Sequence, residues 1–430
     1  MRVKNILVFP GGTENGLEIF KCLANEKKIN LFSVSSNVSN HSEYIYKNHS
    51  IIPDVFSGDC LFELNKIIKE NKIDLIFPAN TFVIDFLNKN KKYIKCDLII
   101  PNEQVLSITR SKKNTYDFFK EILPVPKIYP YINEVVRYPV FVKPNKGYGS
   151  QGAKKIDNFP ELDGYNDSNK DYIITEYLSG KEYTIDCFSS KNGGLLFCSG
   201  RIRNRIRMGT SMNGKLLGKK QNKIFNEYAL KIYKSIGITG AWFFQMKEDS
   251  KGNMKLLEIE ARIAGTMALN RVRGINFALL AIFEKLNLPF KVSLNEFKVE
   301  IDRSLKNRYK ININYDLVYI DLDDTIIVKG YVNKKIISFL YQCLNKKIKL
   351  ILITKSLSKD LSKELKKYRI SEIFDEIIWL KESDKKADFI NNNNSIFIDD
   401  SFSQRVEVKK LIGIPTFDPS MVEVLFDDKQ

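Results

Sequence analysis

The chain has 430 residues, 43% of them hydrophobic and 28% charged, with 68 Lys and Arg against 51 Asp and Glu for a formal net charge of +17. This composition suffices for packed cores and excludes disorder as the main state, and at roughly 150 residues per domain the length predicts about three structural units. No apolar run reaches the roughly 18 residues of a membrane span, and nothing after Met1 has the apolar core of a cleavable leader, so the expectation is a cytoplasmic protein without a membrane partner.

Residues 1–100 alternate strand and helix signals. "NILVFPGG" ends a strand on a glycine turn, an amphipathic "ENGLEIFKCLANE" follows, and "NLFSVSS", "LFELNKIIKENK" and "DLIFPA" continue the rhythm. This predicts a doubly wound parallel α/β unit, Rossmann-like in plan. Gly11 and Gly12 could approach a phosphate, yet "FPGGTENG" lacks the G-x-G-x-x-G spacing, and a tight turn opening a helix is the simpler reading. The two histidines, His41 and His49, both fall in "NHSEYIYKNHS", so a catalytic triad or a histidine-rich metal site would need one of them. The six cysteines are scattered with no C-x-x-C spacing, which argues for reduced thiols. Carboxylates and lysines are left to carry the chemistry.

Between about 101 and 310 longer strands joined by hairpins predict an α+β unit. "PVFVKPNKGYGSQGAKKI" places Lys143 at a strand end before a loop carrying Gly147, Gly149, Ser150 and Gly152, whose backbone N–H groups could close over phosphates. "IITEYLSGKEYTIDCF" offers an edge segment around Glu176 and Leu178 for an adenine and Glu182 for ribose hydroxyls. "GAWFFQMKED" supplies Gln245, and "LLEIEARIAGT" sets Glu258 and Glu260 two apart with Arg262 beside them. Strand alternation puts the two carboxylates on one face, where they repel unless a hard cation such as Mg²⁺ sits between them. The alternative, a solvated charged face, fits poorly with the apolar flanks.

Taken in order, Lys143, "GYGSQG", "TEYLSGKEYTID" and "EIEARIAGT" resemble the ATP-grasp superfamily, especially its carbamoyl-phosphate-synthetase-like branch, over residues 1 to about 310. The resemblance implies a Rossmann-like domain at 1–100 and an ATP-grasp domain at 101–310. It implies ATP and Mg²⁺ as cofactors, and a carboxylate that attacks the γ-phosphate to give an acyl phosphate opened by an amine. Lys112 and Lys143 would then hold phosphates, Glu176 and Leu178 the adenine, Glu182 the ribose. Gln245, Glu258 and Glu260 would bind Mg²⁺, and Arg262 the transferring phosphoryl group. The family's usual residue at the last metal position is Asn, where this chain has Glu260.

"GRIRNRIRMG" alternates Arg201, Arg203, Arg205 and Arg207 against Ile202, Ile206 and Met208. It reads either as an edge strand protected by charge or as a clamp for a substrate carboxylate and the γ-phosphate, with Arg201, Arg203 and Arg205 as the binding residues. Nucleic acid would call for interleaved aromatics, which are absent from the pattern.

After a Lys- and Asn-rich linker at 303–314, residues 315–430 read as a second parallel α/β domain. "LVYIDLDDTII" ends a strand with Asp321 and Asp323, "ILITKS" ends another with Thr354, "DKKADFI" offers Lys386, and "IFIDDS" ends a third with Asp399 and Asp400. In that order they resemble the four motifs of the haloacid dehalogenase (HAD) superfamily. The resemblance implies Asp321 as nucleophile, Asp323 as acid/base, Thr354 and Lys386 on the phosphoryl oxygens, and Mg²⁺ among Asp321, Asp323, Asp399 and Asp400. Asp321 to Thr354 is 33 residues and Thr354 to Lys386 is 32, too short for a separate cap domain.

The expected whole is a fused enzyme: an ATP-dependent carboxylate–amine ligase with an uncapped HAD-like phosphatase acting on a phosphorylated reactant or product. Its partners would be a small-molecule carboxylate and an amine, with no nucleic acid and with scope for a homo-oligomer. A carboxylate kinase without amide formation and a nucleotide-binding regulator of the phosphatase stay open as alternatives. Residues 315–430 hold 19 basic and 19 acidic side chains, so the excess charge lies wholly before them. It reads as drift toward Lys, Asn and Ile plus an anion-handling site.

Overall fold

Lys4–Phe9, the first strand, has Ile6 to Phe9 buried, as a central parallel strand requires. It belongs to a five-stranded, wholly parallel sheet in the order Asn48–Ile51, Ile29–Ser35, Lys4–Phe9, Leu75–Pro78, Asp97–Leu98. The helix Glu14–Leu23 starts where Thr13 Oγ1 accepts the Gly16 N–H at 3.2 Å. Gly16 packs so tightly on the preceding turn that a Cβ there would stand 2.4 Å from the Gly11 carbonyl oxygen. The computed structural model describes residues 2–147, 151–165 and 171–429, and the chain divides into compact units at 1–305 and 306–429.

Within the first unit, two antiparallel sheets follow the parallel one. Four strands run in the order Ile128–Tyr129, Tyr172–Glu176, Val140–Pro144, Lys154–Ile156. Six run in the order Met254–Glu260, Gly240–Glu248, Glu182–Ser190, Gly194–Arg207, Thr210–Leu216, Glu300–Asp302. The helix Lys219–Ile236 lies on the six-stranded sheet through Phe225, Ala229, Ile232 and Ile236, an apolar stripe at helical spacing. The parallel sheet is not a separate body: Ile6, Val8 and Ile19 share one core with Phe188, Phe243 and Phe277. The helix Phe277–Lys285 touches both the first helix and the strand Gly240–Glu248.

The second unit is a parallel sheet in the order Glu376–Trp379, Lys349–Thr354, Leu317–Ile320, Ser395–Ile398, Thr416–Phe417. Its three central strands are almost wholly buried. The interval between Asp321 and Thr354 holds a short hairpin, Ile327–Val328 with Tyr331–Val332, and the helix Lys334–Asn345. The next interval holds the helix Leu361–Lys367 and an edge strand.

One buried charge pair ties the six-stranded sheet to the segment after it. Arg201 Nε and Nη2 each donate to Asp186 at 3.1 Å, and Asn270 Nδ2 donates to the same carboxylate at 3.0 Å. Arg201 is 2% exposed and Asp186 fully buried. Removing one partner leaves the other charge uncompensated, so Asp186→Ala is expected to lower stability by about 3–5 kcal/mol, read as a fall in the urea midpoint of the first unit's transition.

Candidate functional site

In the first unit a cavity opens between the four-stranded and six-stranded sheets. Lys112, Lys143, Gly147, Glu176, Leu178, Glu182, Arg203, Gln245 and Glu258 all line it, so residues more than 140 positions apart in sequence converge on one space. Gly149 and Ser150 lie outside the described residues. Gly152 does not line the cavity. It adopts φ +71° beside the ring of Pro144, a conformation that favours glycine.

Lys143, at the end of its strand, is buried. Its Nζ donates to Tyr116 Oη at 2.6 Å, and Tyr116 in turn donates to the Leu257 carbonyl at 2.7 Å. Burial, reinforced by the nearby Lys112 charge, brings the Lys143 ammonium down to about 7. Lys112 opens the helix Lys112–Phe119 and is anchored through its backbone N–H to the Asn145 carbonyl. Tyr116 carried no motif, although its place one helical turn after Lys112 puts both on one face. Lys247, two residues beyond Gln245 on the same strand, also lines the cavity, and strand alternation is the signal that could have found it.

Gln245 and Glu258 are directly opposed across neighbouring strands, brought into register by an irregularity at Gln245/Met246. Burial, and then the Glu260 charge, push the Glu258 carboxyl above its ordinary value. A hard cation would relieve that penalty, and the two side chains offer it oxygen donors. Glu260 is placed differently from the expected third ligand. Its Oε2 accepts from Arg262 Nε at 3.1 Å and Thr81 Oγ1 at 3.5 Å, and neither Glu260 nor Arg262 lines the cavity. Arg262 lies over the Phe243 ring, 5.2 Å from its centroid.

The other residues expected to meet a nucleotide are partly engaged within the fold. Glu182 is bonded to Arg203 and lies 3.5 Å from Lys247 Nζ. Glu176 Oε1 accepts the Lys127 N–H at 2.9 Å, and the Glu176 N–H is taken by the Lys127 carbonyl, which leaves Leu178 as the apolar wall.

The arginine strand does not present the expected single clamp. Pairing of Gly194–Arg207 with Thr210–Leu216 is irregular between Arg203 and Ile206, which breaks the period-two alternation. Arg201 is spent on Asp186 in the interior, and Arg205 is exposed and paired with Asp302 at 2.9 Å. Only Arg203 among the three reaches the cavity, where it also donates to the Gly209 carbonyl at 2.6 Å.

In the second unit Asp321, Thr354 and Asp399 stand at the ends of neighbouring strands, and Lys386, which opens the 3-10 helix Lys386–Phe389, joins the two aspartates. Lys386 Nζ donates to Asp321 Oδ1 and to Asp399 Oδ2, each at 2.6 Å, with all three groups buried. Asp321, Asp399 and Asp400 have carboxylate oxygens within 4.8 Å of one another, a donor set suited to a hard divalent cation. Asp323, expected beside them, is exposed and stands outside that trio, lining the adjoining cleft instead. Thr354 Oγ1 accepts the Ser356 N–H at 3.1 Å, and Asp400 is braced by Thr325, whose Oγ1 accepts the Asp400 N–H at 3.0 Å. Arg405 Nη1 holds the carbonyls of Asp399 and Asp400 at 2.7 and 2.6 Å. Thr325, inside the "LVYIDLDDTII" segment, also donates to the Asp400 carboxylate at 3.3 Å, while Arg405 was not singled out by the sequence.

Residues 168–305 match the family model described as ATP-grasp in the biosynthetic pathway with Ter operon, and that match ends where the first unit ends. No curated protein matches the chain in sequence. Similar solved structures include biotin carboxylase from Campylobacter jejuni in complex with β,γ-ATP, 17% identical over 68% of this chain and 74% of that one, with a TM-score of 0.57. N5-carboxyaminoimidazole synthetase from Staphylococcus aureus with ADP is 16% identical over 68% and 81%, with a TM-score of 0.56. The biotin carboxylase domain of Hydrogenobacter thermophilus 2-oxoglutarate carboxylase, with MgADP and bicarbonate, is 17% identical over 68% and 72%, with a TM-score of 0.57. The chain therefore has a mixed α/β multidomain architecture with an ATP-grasp fold.

Burial, outweighing the Lys386 charge, pushes the Asp321 carboxyl up to about 7. Below that pH a cation in the trio competes with a proton, and above it Asp321 is an anion. Mg²⁺ is therefore expected to raise the Tm of the second unit more at pH 8 than at pH 5.5, with the difference reduced in Asp321→Asn. Equal shifts at both pH values in a calorimetric scan would contradict a cation beside Asp321.

Proposed function

We propose that the chain is a bifunctional enzyme. An ATP-grasp ligase, made of a Rossmann-like domain at 1–100 and a catalytic domain at 101–310, is fused to an HAD-like Mg²⁺-dependent phosphatase at 315–430. The convergence of Lys112, Lys143, Gln245 and Glu258 on one cavity carries the ligase reading. The nucleotides named in the related structures support ATP as the occupant.

In this reading the substrate carboxylate attacks the γ-phosphorus, ADP leaves, and an amine displaces phosphate from the acyl phosphate to give an amide. Lys112 and Lys143 hold the phosphates, and Gln245 and Glu258 would hold Mg²⁺, which would supply neutralising charge to the phosphates. Arg203, the one arginine of the strand that lines the cavity among the described residues, orients the acidic substrate.

In the phosphatase, Asp321 attacks phosphorus while Asp323 gives a proton to the departing alcohol. Asp323 then takes a proton from the water that releases phosphate from Asp321. Lys386 and Thr354 hold the phosphoryl oxygens. The interlocking of Lys386 with both Asp321 and Asp399 supports this assignment, because it places the cation where a phosphate would need it.

ADP release should require both a carboxylate and an amine, and Glu258→Gln should slow it about a hundredfold or more. Asp321→Asn should leave ADP release intact while a phosphorylated product accumulates, resolved by mass spectrometry. Activity untouched by Glu258→Gln would return the first unit to a regulatory role. A second test uses the lowered ammonium of Lys143. Largely neutral at pH 8, it should regain a proton when phosphates settle beside it. ATP binding followed calorimetrically in buffers of different ionisation enthalpy should take up protons at pH 8, and Lys143→Met should abolish the uptake.

A further inference from the structure

The phosphatase reading leaves unused a broad cleft that begins at Asp323 and runs away from the buried trio. Its wall is built by Lys355, Lys359, Lys363 and Lys367, spaced four residues apart from the loop after Thr354 into the helix Leu361–Lys367. Helical spacing puts Lys363 and Lys367 on one face, about 6 Å apart along the axis, so the ammonium groups form a ladder leading outward from the phosphate position.

Four lysines and four carboxylates line the cleft, but the two sets are not joined in ion pairs among the described residues. Among the described residues no carboxylate lies within ion-pair distance of Lys359, Lys363 or Lys367, and Lys355 Nζ donates to the Glu382 carbonyl and not to its carboxylate. Three carboxylates share the cleft besides Asp323. Asp360 is committed to the helix start, accepting the Lys363 N–H at 2.9 Å, while Glu364 and Glu382 lie on the same wall. The loop bearing Lys355 and Lys359 is held by Trp379, whose Nε1 donates to the Ser356 carbonyl at 3.0 Å. The lysines are thus presented from a fixed edge.

Resting on the phosphatase reading, we propose that the substrate is a phosphomonoester whose alcohol part carries a second anionic group, bound by Lys359 and Lys363 while the phosphate faces Asp321. A neutral sugar phosphate would leave these ammonium groups unmatched. A second anion meets them at a distance from the metal where it does not compete for the trio.

The test uses the full chain with Mg²⁺ and a matched pair of esters, 6-phosphogluconate and glucose 6-phosphate, with fructose 1,6-bisphosphate to separate a carboxylate from a phosphate as the second group. The expected result is a kcat/KM at least tenfold higher for one of the two dianionic-ended esters than for glucose 6-phosphate, expressed mainly in KM and reduced by added salt. In the Lys359→Gln, Lys363→Gln double variant that ratio should fall toward one. Equal kcat/KM across the three esters, or a preference that survives the double variant, would overturn the proposal. Asp321-dependent hydrolysis of p-nitrophenyl phosphate separates the two ideas. If it occurs without the preference, only the second anion is refuted; if it is absent, the phosphatase reading falls and the proposal with it.

Discussion

A charge withdrawn from water must find a partner, and the interior of this protein is arranged around that requirement. Arg201 with Asp186 on neighbouring strands, Lys386 with Asp321 and Asp399 beside strand ends, and Arg271 with Glu18 between two helices each form such pairs or triads. Their roles differ. The Arg201 pair closes on itself with Asn270 and leaves nothing for a ligand. The Lys386 triad is unbalanced, two carboxylates to one ammonium, with Asp400 adjoining. Among the described residues Lys143 and Glu258 have no ion-pair partner within reach and line a cavity beside a like charge, Lys112 and Glu260 respectively, a condition that favours uptake of ions of the opposite sign.

The two halves solve the same problem on different scaffolds. In the second unit a parallel sheet gathers the carboxyl ends of neighbouring strands, so residues from three distant motifs meet with no further device. The antiparallel sheets of the first unit have no common end. Their reactive groups project from strand faces into the space between sheets, and their alignment depends on register. The irregularity beside Gln245 that sets it opposite Glu258 is therefore a functional detail of the backbone.

Much of this was legible beforehand, and the failures share a cause. The strand-terminal positions of Asp321, Thr354 and Asp399 are local properties, and the local pattern of apolar runs reports them. The fate of Arg201 and Arg205 was not legible, because it depends on a backbone irregularity and on Asp186 and Asp302, which are remote in sequence. Glu260 is a similar case: alternation places it beside Glu258, but Thr81, at the start of the helix Thr81–Asn90, engages its carboxylate. The brace by Tyr116 and the hold of Trp379 on the lysine loop rest on single hydrogen bonds across the fold, for which a sequence has no periodic sign.

The common core of the first sheet and the helix Phe277–Lys285 bears on inheritance. The chain divides into compact units near residue 305, which is where a lineage could exchange the second one. Exchange of the first hundred residues would strip Ile6, Val8 and Ile19 from Phe188, Phe243 and Phe277, so the opening segment and the closing helix of that unit are constrained to evolve together.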